Sequence, residues 1–346
     1  MISLFVLSSC NQINSNQLSD SYTTDEESEF PVLLLYTDLP AEKLKFLSDV
    51  FIDKFNIKLE VESIGSEQVI RKLVLEKDNP KASLVMLSNA DRLNRLAKAG
   101  LLQPTTSNVF TNEVPEYFSH PDKLWIGLSY SPRVIVYSKE RVDPRKINYY
   151  IDLSRPLWQG RLLMGSSEDI NNQELVGNML LDFDEKEILE WSKGIAKNTL
   201  YGVMDDDESR IKNISKGKGD LAVVETKSLA SMQYTGNADE KTMVDAVDVL
   251  EPENNGNGAS IKITGIAKVA NTGNAKLADI FITFMLERDQ IEQLASALYE
   301  FPTVKEATVP DEILKWAEIK IDTSSQFEIA AKKQKVVEIM DEAGWK

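Results

Sequence analysis

The sequence predicts an α/β protein with two lobes around a cleft. Short apolar segments typical of buried strands alternate with segments of helical periodicity, and the alternation occurs twice, before and after a strand-rich stretch at residues 124–137. The length of 346 residues is enough for about two domains, yet no linker divides the chain. We therefore expect two units that the chain crosses more than once, with a ligand site between them and hinge closure as the accompanying motion.

The first part of the chain alternates strands with helices. Val32–Tyr36 is a short apolar run, as expected of a strand buried on both faces. In Ala41–Phe55 apolar residues recur at helical spacing, and Gly100 closes the last helix of this part. The segments between them are strand Lys58–Ser63, helix Val69–Leu75, strand Ala82–Leu87 and helix Ala90–Ala99.

The pattern changes in the middle of the chain and then resumes. Leu124–Leu128 and Arg133–Tyr137 predict two strands joined through Tyr130-Ser131-Pro132. The chain ends in an amphipathic helix, Gln326–Ala343, with its apolar residues mostly on one side. The segments between are strand Arg161–Met164, helices Asn172–Phe183, Glu185–Lys197 and Glu208–Lys216, strands Asp220–Glu225 and Ser260–Ala270, and helices Lys276–Leu286 and Asp289–Ala297.

The charge balance excludes nucleic acid as a partner. The chain has 55 acidic and 39 basic residues, a formal net charge of -16. Such a surface repels phosphates, and no Lys/Arg-rich run offsets it. A cationic ligand is compatible with this charge, but a solvated acidic surface is the simpler interpretation. The sequence has no stretch of about 18 or more apolar residues, so it predicts no membrane-spanning helix.

The N-terminus predicts a lipid anchor. Residues 1–10 form a leader that ends in Leu7-Ser8-Ser9-Cys10, which has the pattern of a bacterial lipobox. Residues 11–30 are rich in Asn, Ser, Gln, Asp and Glu and predict a flexible tether. We expect lipidation at Cys10 and a membrane-anchored lipoprotein in the cell envelope, facing the periplasm or the exterior. The alternative is an incidental cysteine, because no positively charged segment precedes Ile2.

Five short strings, in their order along the chain, carry a resemblance to a known family. They are Leu93–Pro104 with its Ala-Gly-Leu-Leu-Gln-Pro end, Trp125–Leu128 with Arg133–Tyr137, Asp152–Arg161, Gly217–Val224 and Met340–Lys346. No single string is diagnostic, but together they resemble the ferric-iron-binding solute receptors of ABC importers over about residues 31–346.

The resemblance implies the type II periplasmic-binding-protein fold, in which two lobes with mixed sheets surround a hinge and cleft. On this basis we expect residues 31–132 plus 259–303 to form the first lobe. Residues 133–258 plus 304–346, with the C-terminal helix, are expected to form the second. The resemblance also implies a small solute as ligand, an ABC permease in the cytoplasmic membrane as partner, and a monomer.

The positions that match the family's iron ligands hold other residues in this chain. Counting without gaps from Tyr36 puts the family's His-Tyr pair on Pro40 and Ala41. Matching the family's local motifs puts its single tyrosine on Asn171 and its tyrosine pair on Lys227 and Ser228. Ferric ion needs anionic oxygen donors, and a lysine would add positive charge beside it. We therefore expect no cofactor and no metal bound in the family's way, although Fe(III) is the family's ligand.

Alignment with the family leaves a set of polar candidates for the cleft. Ser166 and Ser167 precede a predicted helix whose free N–H groups favour an anion, although plain helix capping is the alternative. Lys227 and Arg133 would add positive charge and favour a small anion or zwitterion, although Arg133 is equally suited to a structural role at the hinge. The full set of candidates is Asp38, Asn89, Arg133, Ser166, Ser167, Asn171, Glu225, Lys227 and Ser228.

Two functions remain open from the sequence. The first is a lipid-anchored substrate-binding protein of an ABC importer with an altered ligand, either iron held without tyrosines or a small anion or zwitterion. The second is a receptor-derived envelope sensor or interaction protein that has lost transport. An enzyme is not expected, because a nucleophile needs a base beside it and the chain has one histidine and one cysteine.

Overall fold

The computed structural model describes residues 30–106, 113–200, 206–253 and 256–346, and its first part confirms the predicted alternation of strands and helices. Leu44, Leu47 and Phe51 form the buried stripe of the first helix, as their spacing predicts. The elements are β1 (Val32–Thr37), α1 (Ala41–Phe55), β2 (Lys58–Ser63), α2 (Ser66–Leu75), β3 (Leu84–Leu87), α3 (Ala90–Lys98) and β4 (Leu102–Gln103).

The middle part contains the predicted helices and three further elements. They are, in order, β5 (Ile126–Ser138), β6 (Leu162–Leu163), α4 (Ile170–Asp182), α5 (Glu185–Asn198), α6 (Asp207–Ser215), β7 (Leu221–Glu225), α7 (Thr226–Tyr234), α8 (Ala238–Asp245) and β8 (Val247–Leu250). The sequence analysis missed α7, α8 and β8. The helix α8 buries only Val244, so it has too little apolar periodicity to be predicted.

The last part ends in two helices where a single one was predicted. Its elements are β9 (Ile261–Val269), α9 (Ala275–Met285), α10 (Arg288–Leu298), β10 (Phe301–Pro302), α11 (Gln326–Ala331) and α12 (Lys333–Glu342). The break falls at Lys332, whose N–H turns back to the carbonyls of Ala330 and Ile329. Each helix therefore buries its own short apolar face, Ile329 in α11 and Met340 in α12.

The strands form two mixed sheets that share one strand. Their order is β2-β1-β3-β9-β5-β7-β6, with β8 and β10 paired to β5 and β4 paired to β9. β1 is parallel to β2 and β3, whereas β9 is antiparallel to β3 and β5. β7 is antiparallel to β5 and parallel to β6. Mixed sheets in two lobes confirm the predicted fold class.

The shared strand, β5, is one continuous strand of 13 residues, so the prediction of two strands joined by a turn was wrong. It pairs with β9 as far as Pro132, opposite Ile261, and with β7 from Arg133, opposite Glu225. Pro132 has no N–H to donate. The next N–H, that of Arg133, donates to Ser260 O at 2.8 Å, so the strand remains extended where its partner changes.

Each lobe has a hydrophobic core of its own. In the first lobe, the rings of Phe51 and Phe281 meet edge to face with centroids 4.9 Å apart. In the second lobe, successive residues of β5 enter different clusters, Val134 on one face of the sheet and Ile135 on the other. The second sheet is therefore covered on both faces, as an α/β arrangement requires.

The C-terminal segment lies against both lobes. Trp345 Nε1 donates to Gly165 O at 3.0 Å, and its ring lies 5.9 Å from that of Trp191 in the second lobe. Toward the first lobe, Asn94 Nδ2 of α3 donates to the carbonyl of Gln326 in α11 at 3.1 Å. The helices α11 and α12 therefore add a lobe-to-lobe contact outside the two sheets.

The lipid anchor falls in a part of the chain that the structure does not describe. The predicted leader with Cys10, and the predicted tether up to residue 29, lie outside the described residues. Within the described residues, no helix combines the length and the apolar character needed to span a membrane.

Gly194 of α5 packs so closely on residues 150–154 that a methyl group would clash. A Cβ at this position would lie 2.6 Å from both the Cβ and the carbonyl oxygen of Ser154. Since a backbone carbonyl cannot move aside as a flexible side chain can, we expect Gly194→Ala to lower the free energy of unfolding by about 1–3 kcal/mol. Urea denaturation measures this change.

Gly273→Ala is the matched control, because a Cβ at Gly273 would have no neighbouring atom within 4 Å. We expect its free energy of unfolding to stay within about 0.5 kcal/mol of the wild-type value. Equal stabilities of the two variants would contradict the close contact of α5 with residues 150–154.

Candidate functional site

The cleft between the lobes contains two adjoining polar cavities. The first has a volume of about 580 Å³ and lies between α3 and the start of α4, and the second, about 540 Å³, lies beside β7 and α6. Asn171 and Lys262 line both. The first is also lined by Arg92, Arg95, Ser166, Gln173 and Lys333, and the second by Asp207, Glu225 and Ser228.

The two first-lobe candidates have different roles. Asp38 is held within its own lobe, because it accepts hydrogen bonds from Ser88 N at 2.8 Å and Ser88 Oγ at 3.1 Å and lies 3.6 Å from Arg92 Nη1. Asn89 reaches across the cleft. Its Oδ1 caps α3, while its Nδ2 donates to Glu174 Oε2 of α4 at 2.9 Å.

Arg133 connects the shared strand to the cleft wall. It is only 2% exposed, and its Nη1 donates to the backbone carbonyl of Asn171 at the start of α4. Its own carbonyl accepts a hydrogen bond from the Tyr150 hydroxyl. Arg133 therefore fixes the start of α4 relative to β5, which corresponds to the structural role that the sequence left open.

Lys227 lies between two buried carboxylates. Its Nζ is 2.7 Å from Glu300 Oε1 and 3.1 Å from Glu225 Oε2, the latter a charge contact without hydrogen-bond geometry. The other oxygen of Glu225 accepts from Lys262 Nζ at 3.0 Å. Glu300 in turn accepts from Ser129 Oγ of β5 at 2.6 Å. The positive charge of Lys227 is thus already balanced by groups of the protein.

The pKa values in this cluster follow from the pairing. Burial by itself would raise the pKa of Glu225, but the charges of Lys227 and Lys262 outweigh it and hold that pKa well below its usual value. Burial would lower the pKa of Lys227, but Glu225 and Glu300 raise it above its usual value. Glu225 and Lys227 are therefore both charged at neutral pH.

Ser228 contacts a further buried carboxylate. Its Oγ donates to Asp207 Oδ2 at 3.2 Å, and the same oxygen accepts from Glu225 N at 2.8 Å. The other oxygen of Asp207 accepts from Arg210 Nη1 at 2.8 Å. Burial, followed by the charge of Glu225, raises the pKa of Asp207. The β7–α7 junction is therefore held to α6 by hydrogen bonds to one carboxylate.

Neither Ser166 nor Ser167 caps α4. The N-cap is Asp169, whose Oδ1 accepts from Asn171 N at 2.9 Å. The two serines contribute backbone carbonyls, which accept from the side chains of Asn172 and Gln173 at 3.0 and 2.8 Å. The carboxylate of Asp169 therefore lies where the positive end of the helix would otherwise favour an external anion.

Sequence reasoning missed several charged residues of this region, and for two of them a local signal was present. Lys262 lies between Ile261 and Ile263 in a strand, and Glu174 precedes the apolar stretch of α4. A charged residue in a buried element is rarely without a partner. Arg92 and Glu300 have no comparable signal, because their positions depend on contacts with distant parts of the chain.

The described residues contain no group of three or more His, Cys, Asp or Glu side chains arranged to hold a metal ion. Pro40 and Ala41 are exposed at the start of α1, and neither side chain has a donor atom. Asn171 is neutral, Lys227 is ion-paired, and Ser228 is a neutral hydroxyl. None of the five positions supplies the anionic oxygen that ferric ion requires.

The chain is similar to one family of solute-binding proteins and to two iron uptake proteins. The family of bacterial extracellular solute-binding proteins matches residues 79–323. Iron uptake protein A1 of Synechocystis is 28% identical over 341 residues, which is 99% of this chain and 93% of that protein. Iron uptake protein A2 of the same organism is 25% identical over 300 residues, 86% of each chain.

Solved structures share the fold. The Trichodesmium protein IdiA (FutA), determined in complex with iron and citrate ligands, is 26% identical with a TM-score of 0.87, covering 91% of this chain and 100% of that one. The ferric binding protein from Campylobacter jejuni is 23% identical with a TM-score of 0.84, covering 91% and 100%. The two lobes and mixed sheets are therefore those of the type II periplasmic-binding proteins.

Removal of the Lys227 ammonium should destabilise the fold. In Lys227→Met, Glu300 would be buried without a cation and Glu225 would retain only Lys262. Since an uncompensated buried charge is costly, we expect the free energy of unfolding to fall by about 3 kcal/mol. Urea denaturation at neutral pH measures the change.

A second substitution separates the charge effect from lost packing. Glu300→Gln added to Lys227→Met should restore part of the stability, giving a measurable coupling in a double-mutant cycle. Lys193→Met is the control, because the Lys193–Glu190 pair is exposed and is worth about 0–1 kcal/mol. Wild-type stability of Lys227→Met would contradict the proposed energetic role of this cluster.

Proposed function

The chain belongs to the family of bacterial extracellular solute-binding proteins, and from that premise we propose that it is the substrate-binding protein of an ABC importer. It is homologous to iron-binding periplasmic substrate-binding proteins of such importers, and proteins of this kind partner with permease components. The observation that carries the proposal is the polar cleft between two lobes joined by a continuous strand, in a chain that matches its relatives over nearly its whole length.

The solute in this proposal is a small anion or zwitterion, or iron bound without tyrosine ligands. The first cavity is lined by Arg92, Arg95, Lys262 and Lys333 together with carboxylates, so it offers donors and acceptors at short range. A guanidinium grips a carboxylate or phosphate through paired hydrogen bonds. Lys227 is not part of this recognition set, because it lines neither cavity and lies between Glu225 and Glu300. Iron would then enter as an anionic chelate rather than as a bare ion.

The anchoring part of the proposal rests on the sequence. Lipidation at Cys10 would attach the receptor to a membrane through the tether of residues 11–30, and the folded lobes would face the periplasm or the exterior. The location agrees with an extracellular solute-binding family. A monomer and the lobe boundaries at residues 132/133, 258/259 and 303/304 are included in the proposal.

One observation favours a second candidate, an envelope sensor or interaction protein that no longer transports. The cations and carboxylates around Lys227 pair with each other, which leaves fewer groups for a solute than an open receptor site would have. A sensor of this origin would retain the fold and lose solute-driven closure.

Isothermal titration of ligand-stripped protein tests the first candidate. The panel is ferric citrate, citrate, other di- and tricarboxylates, amino acids and phosphonates, and we expect saturable heat with at least one of them. Arg92→Gln should weaken that binding about tenfold or more, which corresponds to about 1.4 kcal/mol. Lys193→Gln, on the exposed side of α5, should leave it unchanged.

Two results would count against the receptor. Absence of heat with every member of the panel would contradict the proposed solute class. Small-angle scattering with and without added cell extract measures lobe closure. If it also shows no closure, the sensor becomes the better account. Clear closure would argue against the sensor.

A further inference from the structure

A buried carboxyl group lies at the contact between the lobes, away from the pairs described above. Glu174 of α4 is 9% exposed and accepts a hydrogen bond from Asn89 Nδ2 of α3 at 2.9 Å. The direction of that bond is fixed, because Asn89 Oδ1 already accepts from Asp91 N at 2.8 Å in capping α3. The amide NH₂ group therefore has to face the second lobe.

The charges around Glu174 come from four elements. Asp91 of α3 is 5% exposed and is paired with Lys333 of α12 at 2.7 Å. Lys262 of β9 and Arg133 of β5 supply positive charge from the hinge side. Burial, and then the charge of Asp91, raises the pKa of Glu174 to about 7, although Lys262, the Asn89 hydrogen bond and Arg133 oppose the rise.

We propose that Glu174 links the contact between the lobes to protonation, so that uptake of one proton from solvent favours the arrangement in which α3 and α4 touch. The neutral carboxyl group still accepts the hydrogen bond from Asn89, and it avoids the cost of a buried negative charge. When the lobes separate, water reaches Glu174 and the group ionises as an ordinary glutamate. The consequence for solute affinity rests on the proposed receptor function, but the lobe contact itself does not.

The direction of the pH effect follows from linkage. The touching arrangement holds the proton more tightly, with a pKa of about 7 against the ordinary 4.5. The stabilisation that protonation of Glu174 gives to the touching arrangement is therefore complete below the ordinary pKa of 4.5. It is lost as the pH rises through about 7. Between about pH 5.5 and about pH 8 the ratio of touching to separated lobes should fall on the order of tenfold.

The test uses the full chain without solute, so a failed solute titration does not affect it. Small-angle scattering across this pH range should show the lobes separating as the pH rises in the wild type. Glu174→Gln, which is permanently neutral, should give the same lobe ratio at every pH. Glu190→Gln, at an exposed position of α5, should keep the wild-type profile.

A second variant gives a directional check if Glu174→Gln fails to fold. Asp91→Asn removes the charge that adds to the effect of burial in raising the pKa of Glu174, so the transition should move to lower pH. Carboxyl carbon NMR of the wild type, assigned by the signal lost in Glu174→Gln or shifted in Asp91→Asn, should show a titration near neutral pH. A wild-type pH profile in Glu174→Gln, or a Glu174 titration near its ordinary value, would overturn the proposal and leave the receptor function unaffected.

Discussion

The structure depends on one strand that belongs to both sheets. β5 continues from its pairing with β9 to its pairing with β7 without a turn, and the change of partner falls between Pro132 and Arg133. The Arg133 side chain next to that point is buried. Arg133 lies there and holds the start of α4 through the Asn171 carbonyl. The walls of the cleft are therefore set by the hinge as well as by loops at its edge.

Charge pairing is the second constraint on the cleft. A buried ion is costly without a partner and good geometry, and two lysines near the hinge have carboxylate partners. Lys227 is paired with Glu300 and Glu225, and Lys262 with Glu225. A solute that enters the cleft has to compete with contacts of the protein itself, which favours a molecule that carries its own mixed charges.

The lobes also touch at places that the shared strand does not determine. The Asn89–Glu174 hydrogen bond joins α3 to α4, and the Lys333–Asp91 ion pair joins α12 to α3. These contacts are made of polar groups, so separating the lobes replaces them with water at modest cost. Most apolar core residues lie within one lobe, but Phe301, whose strand β10 pairs with β5 in the first sheet, belongs to the cluster of Val134 and Leu229 in the second lobe.

The sequence by itself determined the α/β alternation, the two-lobe fold and the region of the cleft, because hydrophobic periodicity and turn residues are local properties. The family resemblance supplied Asn171, Glu225, Lys227 and Ser228 as cleft candidates, and Asn171, Glu225 and Ser228 line one cavity of the structure. It did not predict the continuity of β5, because Pro132 indicates a break until the partners on each side are known. It also gave no indication that Glu300 would neutralise Lys227 or that Glu174 would meet Asn89. Those pairs are separated by 73 and 85 residues. Only the tertiary structure decided them, because a buried charge takes the partner that folding places beside it.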